Sequence, residues 1–234
     1  MNTNGNVYLI PVYIDEHATH VIPHYIINAV KECQVFFAEN ERSARRFLKS
    51  LWKEIVIDDY EWFTIHKTEE EQKIVFIKKL KEGKTIGIIS EAGCPGIADP
   101  GQILVSAAHE FGAVVKPLVG PSSILLTLMA SGMNGQHFQF VGYLPVEELQ
   151  KIKAIKDLEN ESKRKNCTQV FIETPYRNNQ LMETILKTCN SSTKFCIAAN
   201  ITSANEFIKT KTIGEWKNNL PDLHKQPAIF CLLA

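Results

Sequence analysis

Between Ser90 and Gly101 the chain reads Ser-Glu-Ala-Gly-Cys-Pro-Gly-Ile-Ala-Asp-Pro-Gly, with glycine at 93, 96 and 101 and proline at 95 and 100. Glycine lets a backbone approach a ligand closely and adopt positive φ. Proline fixes the shape of a loop before anything binds. The stretch follows the apolar run Thr85 to Ile89, which reads as a buried strand. It precedes Ile103, Leu104, Ala107, Ala108 and Phe111, which have helical spacing. Such a junction lies at the carboxyl end of a sheet, where open α/β proteins place their ligands. A second loop, Val119-Gly120-Pro121-Ser122-Ser123, follows the next apolar run, Val114 to Leu118, and also opens a helix. Two such loops, one strand apart, predict two walls of one pocket. A pocket lined by glycine and backbone suits a reaction that needs alignment more than acid or base groups. Methyl transfer from a sulfonium, an in-line displacement, is such a reaction.

Other candidate groups are polar. Glu39, Glu41 and Arg42 follow a strand end and could face a cleft or simply form a solvated turn. Glu173-Thr174-Pro175-Tyr176-Arg177 also follows a strand. Tyr176 and Arg177 could stack on or clamp a substrate. Thr174 as cap and Pro175 in the first turn would make the same segment a helix entry. Gly83-Lys84-Thr85 resembles the end of a phosphate-binding loop, but Lys78 stands where that motif needs glycine, and the strand and helix come in the wrong order. No Gly-x-Gly-x-x-Gly follows the first strand, and no Gly-x-Ser-x-Gly elbow is present. The 7 histidines do not pair at ligand spacing and the 6 cysteines include no Cys-x-x-Cys, so no metal is expected.

The elements that must position these groups alternate strand and helix. Val7 to Val12 is predicted as the first strand, Pro23 to Cys33 as a helix, and Val35 to Ala38 as a strand. Ser43 is placed as the cap of the next helix, and Ile55 to Ile57 as a short strand. Glu69 to Lys81 is a helix ended by Gly83, followed by the strand before the Gly/Pro loop, a helix and Val114 to Leu118. Alternation of this kind implies a mostly parallel sheet with right-handed crossovers. Beyond Gly120 the pattern changes. A helix at Ser122 to Ala130, a strand at Phe138 to Leu144 and a charged helix at Val146 to Lys165 lead into strands near 170–173, 195–200, 206–213 and 228–233, with a helix at Asn178 to Thr188. Phe207 to Thr212 partly alternates, which suggests an antiparallel strand with one wet face, and the second sheet is expected to be mixed. Two α/β domains are expected, 1–118 and 119–234. Lys151, Lys153, Lys156, Lys163, Arg164 and Lys165 alternate with Glu147, Glu148, Asp157, Glu159 and Glu161, and read as a solvated helix face.

Lys plus Arg and Asp plus Glu both number 26, so nothing global announces a nucleic acid, and any basic surface must be local. No apolar run is long enough to span a membrane, and Met1 to Val7 carries no signal-peptide pattern. Cysteines scattered through apolar runs fit a reducing cytoplasm.

Taken in order, several segments resemble the tetrapyrrole methylase superfamily of S-adenosylmethionine-dependent methyltransferases. They are Val7-Tyr8-Leu9-Ile10-Pro11-Val12, Ala38-Glu39-Asn40-Glu41-Arg42, Ile89 to Gly101, Gly120-Pro121-Ser122-Ser123 and Phe138 to Pro145. Phe171 to Arg177 is similar to the F-Y-E-S-P-H-R segment of the branch that methylates a cytidine ribose 2′-hydroxyl of ribosomal RNA. The resemblance implies a two-domain α/β fold, a mostly parallel N-terminal sheet and a mixed C-terminal sheet with the cofactor cleft between them, usually in a homodimer. By position, Pro11, Val12, Glu91, Ala92, Gly93, Cys94, Ile97, Ala98, Ser122, Ser123, Ile172, Ala199 and Ala228 would contact S-adenosylmethionine. Glu39 would lie near the acceptor oxygen, and Arg42, Tyr176 and Arg177 would touch substrate.

The chain also departs from that branch. An A-R-E-L-T-K segment becomes Ala198-Ala199-Asn200-Ile201-Thr202-Ser203, losing two positive charges and one carboxylate. Compensating charge for RNA is then expected from Arg42, Arg45, Arg46 and Lys49. Three readings stand: a methyltransferase acting on RNA, a non-catalytic binding protein of the same fold, and a macrocycle methyltransferase.

Overall fold

The computed structural model describes residues 5–65 and 69–234. It divides into two compact units, Met1–Ser122 and Ser123–Ala234. The first unit runs β1 (Asn6–Ile10), α1 (Ile26–Glu32), β2 (Val35–Ala38), α2 (Glu41–Leu51), β3 (Glu61–Thr64), α3 (Glu69–Lys81), β4 (Ile86–Ile89), α4 (Gln102–Phe111) and β5 (Val114–Pro117). The sheet order is β3-β2-β4-β1-β5, and every adjacent pair is parallel.

Side chains alternate across the strands, so each face collects its own helices. Tyr8, Ile10, Phe36 and Ala38 pack with Ile26 and Val30 of α1 and Phe47 and Leu48 of α2. Val7, Val35, Phe37, Ile86 and Ile88 pack with Phe76 and Leu80 of α3 and Leu104 and Ala108 of α4. The inner strands are covered on both faces, which explains their unbroken apolar sequences. Gly87 is needed where it stands: a Cβ there would lie 2.6 Å from the Phe36 ring.

The second unit runs α5 (Ser123–Ser131), β6 (Phe138–Tyr143), α6 (Glu148–Lys165), β7 (Thr168–Ile172), α7 (Asn178–Thr188), β8 (Lys194–Ala199), β9 (Phe207–Thr212), α8 (Ile213–Trp216) and β10 (Ala228–Leu233). Its sheet order is β6-β7-β10-β8-β9. Only β6 and β7 pair in parallel; the other three pairs are antiparallel. Phe171, Phe230 and Phe195 stack across three neighbouring strands, with ring centroids 5.8 and 5.7 Å apart. Trp216 is buried beside them and donates its indole N–H to the Phe195 carbonyl at 2.8 Å.

Four local expectations need correction. Asn40, not Ser43, caps α2: its side-chain oxygen accepts from the Arg42 and Ser43 amides at 3.0 and 3.3 Å. The segment Ile57–Asp59 is a 3-10 turn, and the third strand comes later, at Glu61–Thr64, where Trp62 and Phe63 point to opposite faces of the sheet. Thr174 does not cap α7; that helix starts at Asn178, because Thr174 to Arg177 closes a turn in which the Arg177 amide donates to the Thr174 carbonyl at 2.9 Å. The α6 face is not uniformly solvated. Lys151 is buried and paired with Glu148 at 3.1 Å. Glu159 is buried too, accepting from the Asn190 amide at 2.8 Å and from the Thr193 hydroxyl.

Candidate functional site

In the first unit, parallel register brings three strand ends level. Ile10 and Ala38 both pair with Ile89. Pro11, Glu39 and Ser90 therefore leave the sheet side by side. The end of β5 lies on the far side of β1, since Leu9 pairs with Pro117. The turn after β1 is thus flanked by the loops after β4 and β5.

Direct bonds join these loops. Val12 and Gly93 form an isolated antiparallel bridge, exchanging N–H···O bonds of 2.8 and 3.0 Å. Gly93 has φ +68, a conformation that suits glycine. The Cys94 thiol donates to the Pro121 carbonyl at 3.4 Å. A Cβ on Gly120 would collide with the Pro11 ring, so the β5 loop crosses the β1 turn at backbone contact. Pro11, Val12 and Gly93 are buried, Cys94 and Ser122 are half-buried, and Glu91, Ala92, Ile97 and Ala98 are exposed. Ala98 is a non-glycine residue at φ +62. Such strain is characteristic of functional loops. A cleft of about 180 Å³ adjoins the bridge, lined by Val12, Tyr13, Glu16, Ser43, Ala44, Arg46, Ser90 and Glu91.

The loop is electronegative. The Glu39 carboxylate accepts the Glu91 amide at 3.0 Å, and Glu91 accepts the Ser43 hydroxyl at 2.9 Å. Burial pushes the Asp99 carboxyl up to about 6, with Glu39 and Glu91 adding to the rise and the Ser90 hydroxyl opposing it. A cation placed here would relieve three crowded carboxylates. The helix that follows offers no free anion site. A single oxygen of Glu69 accepts the amides of Gly101, Ile103 and Leu104 at 3.0, 2.9 and 3.3 Å, and so caps α4. Neither Asp99 nor Glu69 is marked by the sequence, because both act through burial and long-range contact.

Arg42 is exposed in the first turn of α2. Arg45 is engaged, paired with Glu41 and lying over the Trp62 ring, and Lys49 donates to the Lys53 carbonyl at 3.2 Å. Arg46 lines the cleft.

In the second unit, Ile172, Ala199 and Ala228 lie together at one end of the three inner strands of the sheet. Ala228 pairs with Ala199, and its neighbour Ile229 pairs with Ile172. Ser123 begins α5. Asn200 is left-handed at φ +52 and ties two loops together. Its amide donates to the Pro227 carbonyl at 3.0 Å and its side chain to Gln226 at 2.7 Å. Tyr176 is exposed, and Arg177 is held against the buried carboxylate of Glu173 at 2.7 Å. The sequence offers the four-residue spacing of Glu173 and Arg177, and the structure adds that Glu173 is buried and holds the guanidinium. Among the described residues, no three His, Cys, Asp or Glu side chains converge to hold a metal ion. No helix of those residues is long and apolar enough to cross a membrane.

A family model described as Tetrapyrrole (Corrin/Porphyrin) Methylases matches residues 25–217. The chain is 29% identical over 215 residues to "Ribosomal RNA small subunit methyltransferase I" of Escherichia coli O157:H7, covering 92% of this chain and 71% of that protein. It is 34% identical over 154 residues to the protein of the same name from Vibrio cholerae, covering 65% of this chain and 52% of the relative. The structure is similar to that of the methyltransferase CobJ, with TM-score 0.66 and 14% identity over 98% of this chain and 94% of that one. It is also similar to uroporphyrin-III C-methyl transferase from Thermus thermophilus complexed with S-adenyl homocysteine, with TM-score 0.56 and 16% identity over 98% and 97% of the two chains. At these identities the solved structures speak for the fold.

Proposed function

The chain belongs to the tetrapyrrole methylase family of S-adenosylmethionine-dependent methyltransferases, and from that premise we propose that its methyl acceptor is an RNA, at a ribose 2′-hydroxyl. The RNA half of the reading is supported by relatives named for a small-subunit ribosomal RNA, one of them aligned over 92% of this chain. The structural observation that carries the cofactor half is the bridge between Val12 and Gly93, which fixes an electronegative, glycine-lined loop beside the β1 turn.

S-adenosylmethionine supplies, when bound, a methyl group on a sulfonium centre. The chain's own groups do the rest. In the first unit, Pro11, Val12, Glu91, Ala92, Gly93, Cys94, Ile97, Ala98 and Ser122 form the proposed cofactor lining. Exposed Ile97 offers an apolar face to an aromatic base, and Glu91 and Asp99 offer negative charge to a cation. In the second unit, Ser123, Ile172, Ala199 and Ala228 form the corresponding set. Glu39, held by the Glu91 amide, is the carboxylate proposed near the acceptor hydroxyl. Arg42, Tyr176 and Arg177 are the proposed substrate contacts. An RNA acceptor implies the cytoplasm. A homodimer is part of the same reading, supported by Leu125 and Met129, which stand exposed one turn apart on α5.

Two measurements test this. Calorimetric titration with S-adenosylmethionine is expected to show one site per chain, and no heat at high micromolar ligand would refute the cofactor assignment. Labelled cofactor is expected to leave its methyl group in the RNA fraction of a cell extract. Label in small molecules alone would transfer the reading to a macrocycle acceptor, and tight cofactor binding with no transfer would favour a binding protein.

A further inference from the structure

Beyond the end of β7, an inner strand of the second sheet, an exposed aromatic side chain stands with cations beside it. Tyr176 is 70% exposed. The His224 ring meets it edge-on at 6.1 Å, and the Lys225 ammonium lies 5.9 Å from its ring centroid. Arg177 follows it in the chain. Tyr143, 61% exposed, ends β6 opposite Ile172 and lies within electrostatic reach of Arg177.

The group is rigid. The Lys225 amide donates to the Pro175 carbonyl at 3.1 Å, and Lys225 itself is held at φ +61. The Asn178 side chain donates to the Gln226 carbonyl at 2.7 Å, and Asn179 binds the same loop through Asp222 at 2.7 Å and the Leu223 amide at 2.9 Å. The loop that carries His224 and Lys225 is therefore pinned to the helix that follows Tyr176. Arg177 is fixed as well. Its Nε and Nη2 donate to one oxygen of Glu173 at 3.1 and 2.7 Å. The other oxygen of Glu173 is buried and has no hydrogen-bond partner among the described residues. A buried carboxylate left half satisfied is a poor stability device. It is a good way to aim a guanidinium.

An exposed ring with a lysine ammonium over it and an arginine next to it in the chain offers what an unpaired nucleobase and its phosphates require. The base stacks on the ring, and the cations meet the backbone. We propose that Tyr176 is a stacking platform for an unpaired base of single-stranded RNA, that Arg177 and Lys225 receive the flanking phosphates, and that Glu173 is the positioning residue for Arg177. The inference rests on the RNA reading above and gives it a location. It also supplies positive charge next to the altered segment Ala199 to Ser203, since Asn200 is bonded to Gln226 and Pro227, which follow Lys225. Because the platform is preformed, little ordering accompanies binding.

The test uses the whole protein and two probes of equal phosphate number, a short oligouridylate and its abasic counterpart. Wild type is expected to bind the oligouridylate more tightly. Tyr176→Ala is expected to lower that affinity about tenfold, the scale of one lost base stack, and to leave the abasic probe unaffected. Tyr176→Phe is expected to stay within about twofold of wild type, because the ring does the stacking. Lys225→Ala and Arg177→Ala are expected to weaken both probes and flatten the salt dependence. Glu173→Gln is expected to match Arg177→Ala, with no further loss in the double variant, a coupling that a merely structural role would not produce. If Tyr176→Ala binds oligouridylate like wild type while wild type methylates cellular RNA, the platform is wrong and the acceptor stands. If wild type methylates RNA yet binds neither probe, the platform is also wrong. If wild type binds neither probe and labels no RNA, both readings fall.

Discussion

Asp99 has its proton affinity raised by burial and by Glu39 and Glu91, so that its carboxyl titrates near 6 rather than at the ordinary 3.8. The sign follows directly. Between those values the folded chain holds a proton that the unfolded chain has released. The stability this group contributes is present below about pH 4 and is lost as the pH rises through about 6. Asp99→Asn is expected to be more stable than wild type at pH 7.5 by on the order of 1 kcal/mol, discounted for partial solvent screening. The difference is expected to vanish near pH 4, as read by urea denaturation. The same group should respond to a cation. S-adenosylmethionine affinity of the wild type is expected to fall between pH 7 and pH 5, and affinity for the neutral thioether product to change less, both by calorimetry. Gly93 acts through backbone conformation. A Cβ there would meet only the Pro121 carbonyl, at 3.5 Å, so space is adequate. The left-handed φ is the obstacle, costing a side chain about 1–2 kcal/mol. Gly93→Val is expected to break the bridge to Val12 and to abolish calorimetric cofactor binding.

At the scale of elements, α4 depends on a residue far away in sequence. Glu69 satisfies two of its leading amides and that of its N-cap, Gly101. Glu69→Ala is expected to destabilise the protein by about 2 kcal/mol, the range of a lost cap plus buried unsatisfied donors. Glu69→Gln, which keeps an acceptor, is expected to cost less; urea midpoints decide. Elements with strong local signals were legible in the sequence. Helix α3 and strand β10 stand at the positions their periodicity gives, and the Gly/Pro loop joins β4 to α4 as read. Where local signals compete, the reading slipped. Ile55 is apolar because it plugs the core beside α2, not because it begins a strand. Helix α8 is only one turn long, too short for a periodic signal, and its one local mark is the capping box of Thr212 and Glu215. Lys151 reads as a surface lysine, and its burial depends on packing that no periodicity reveals. The candidate site divides in the same way. Glycines and prolines announced the loops. The partners that give the loops their charge and caps, Glu69 and Asp99 among them, depend on three-dimensional neighbours.

As a whole, the molecule carries no net charge, with 26 basic and 26 acidic residues. Affinity for the proposed RNA acceptor is therefore expected to come from a few local contacts. The logarithmic salt dependence of binding is expected to be shallow, with a slope of about −2 or less in magnitude, corresponding to roughly three phosphates of a single strand. Filter binding across a salt series measures it. Sedimentation equilibrium at micromolar concentration is expected to show a dimer, and Met129→Glu to shift it toward monomer. The cap on α4 has a last consequence, for the choice among adenosine carriers. A helix N-terminus beside a glycine-rich loop is ordinarily where a phosphate tail gains its affinity. Here the chain fills that position with its own carboxylate. An adenosine ending in phosphates loses its best anchor and meets Glu91 and Asp99 as like charges, whereas one ending in a sulfonium and an amino-acid tail has no need of that anchor. The protein is thus expected to ignore ATP even in large excess, and competition calorimetry should find that ATP displaces none of the bound S-adenosylmethionine.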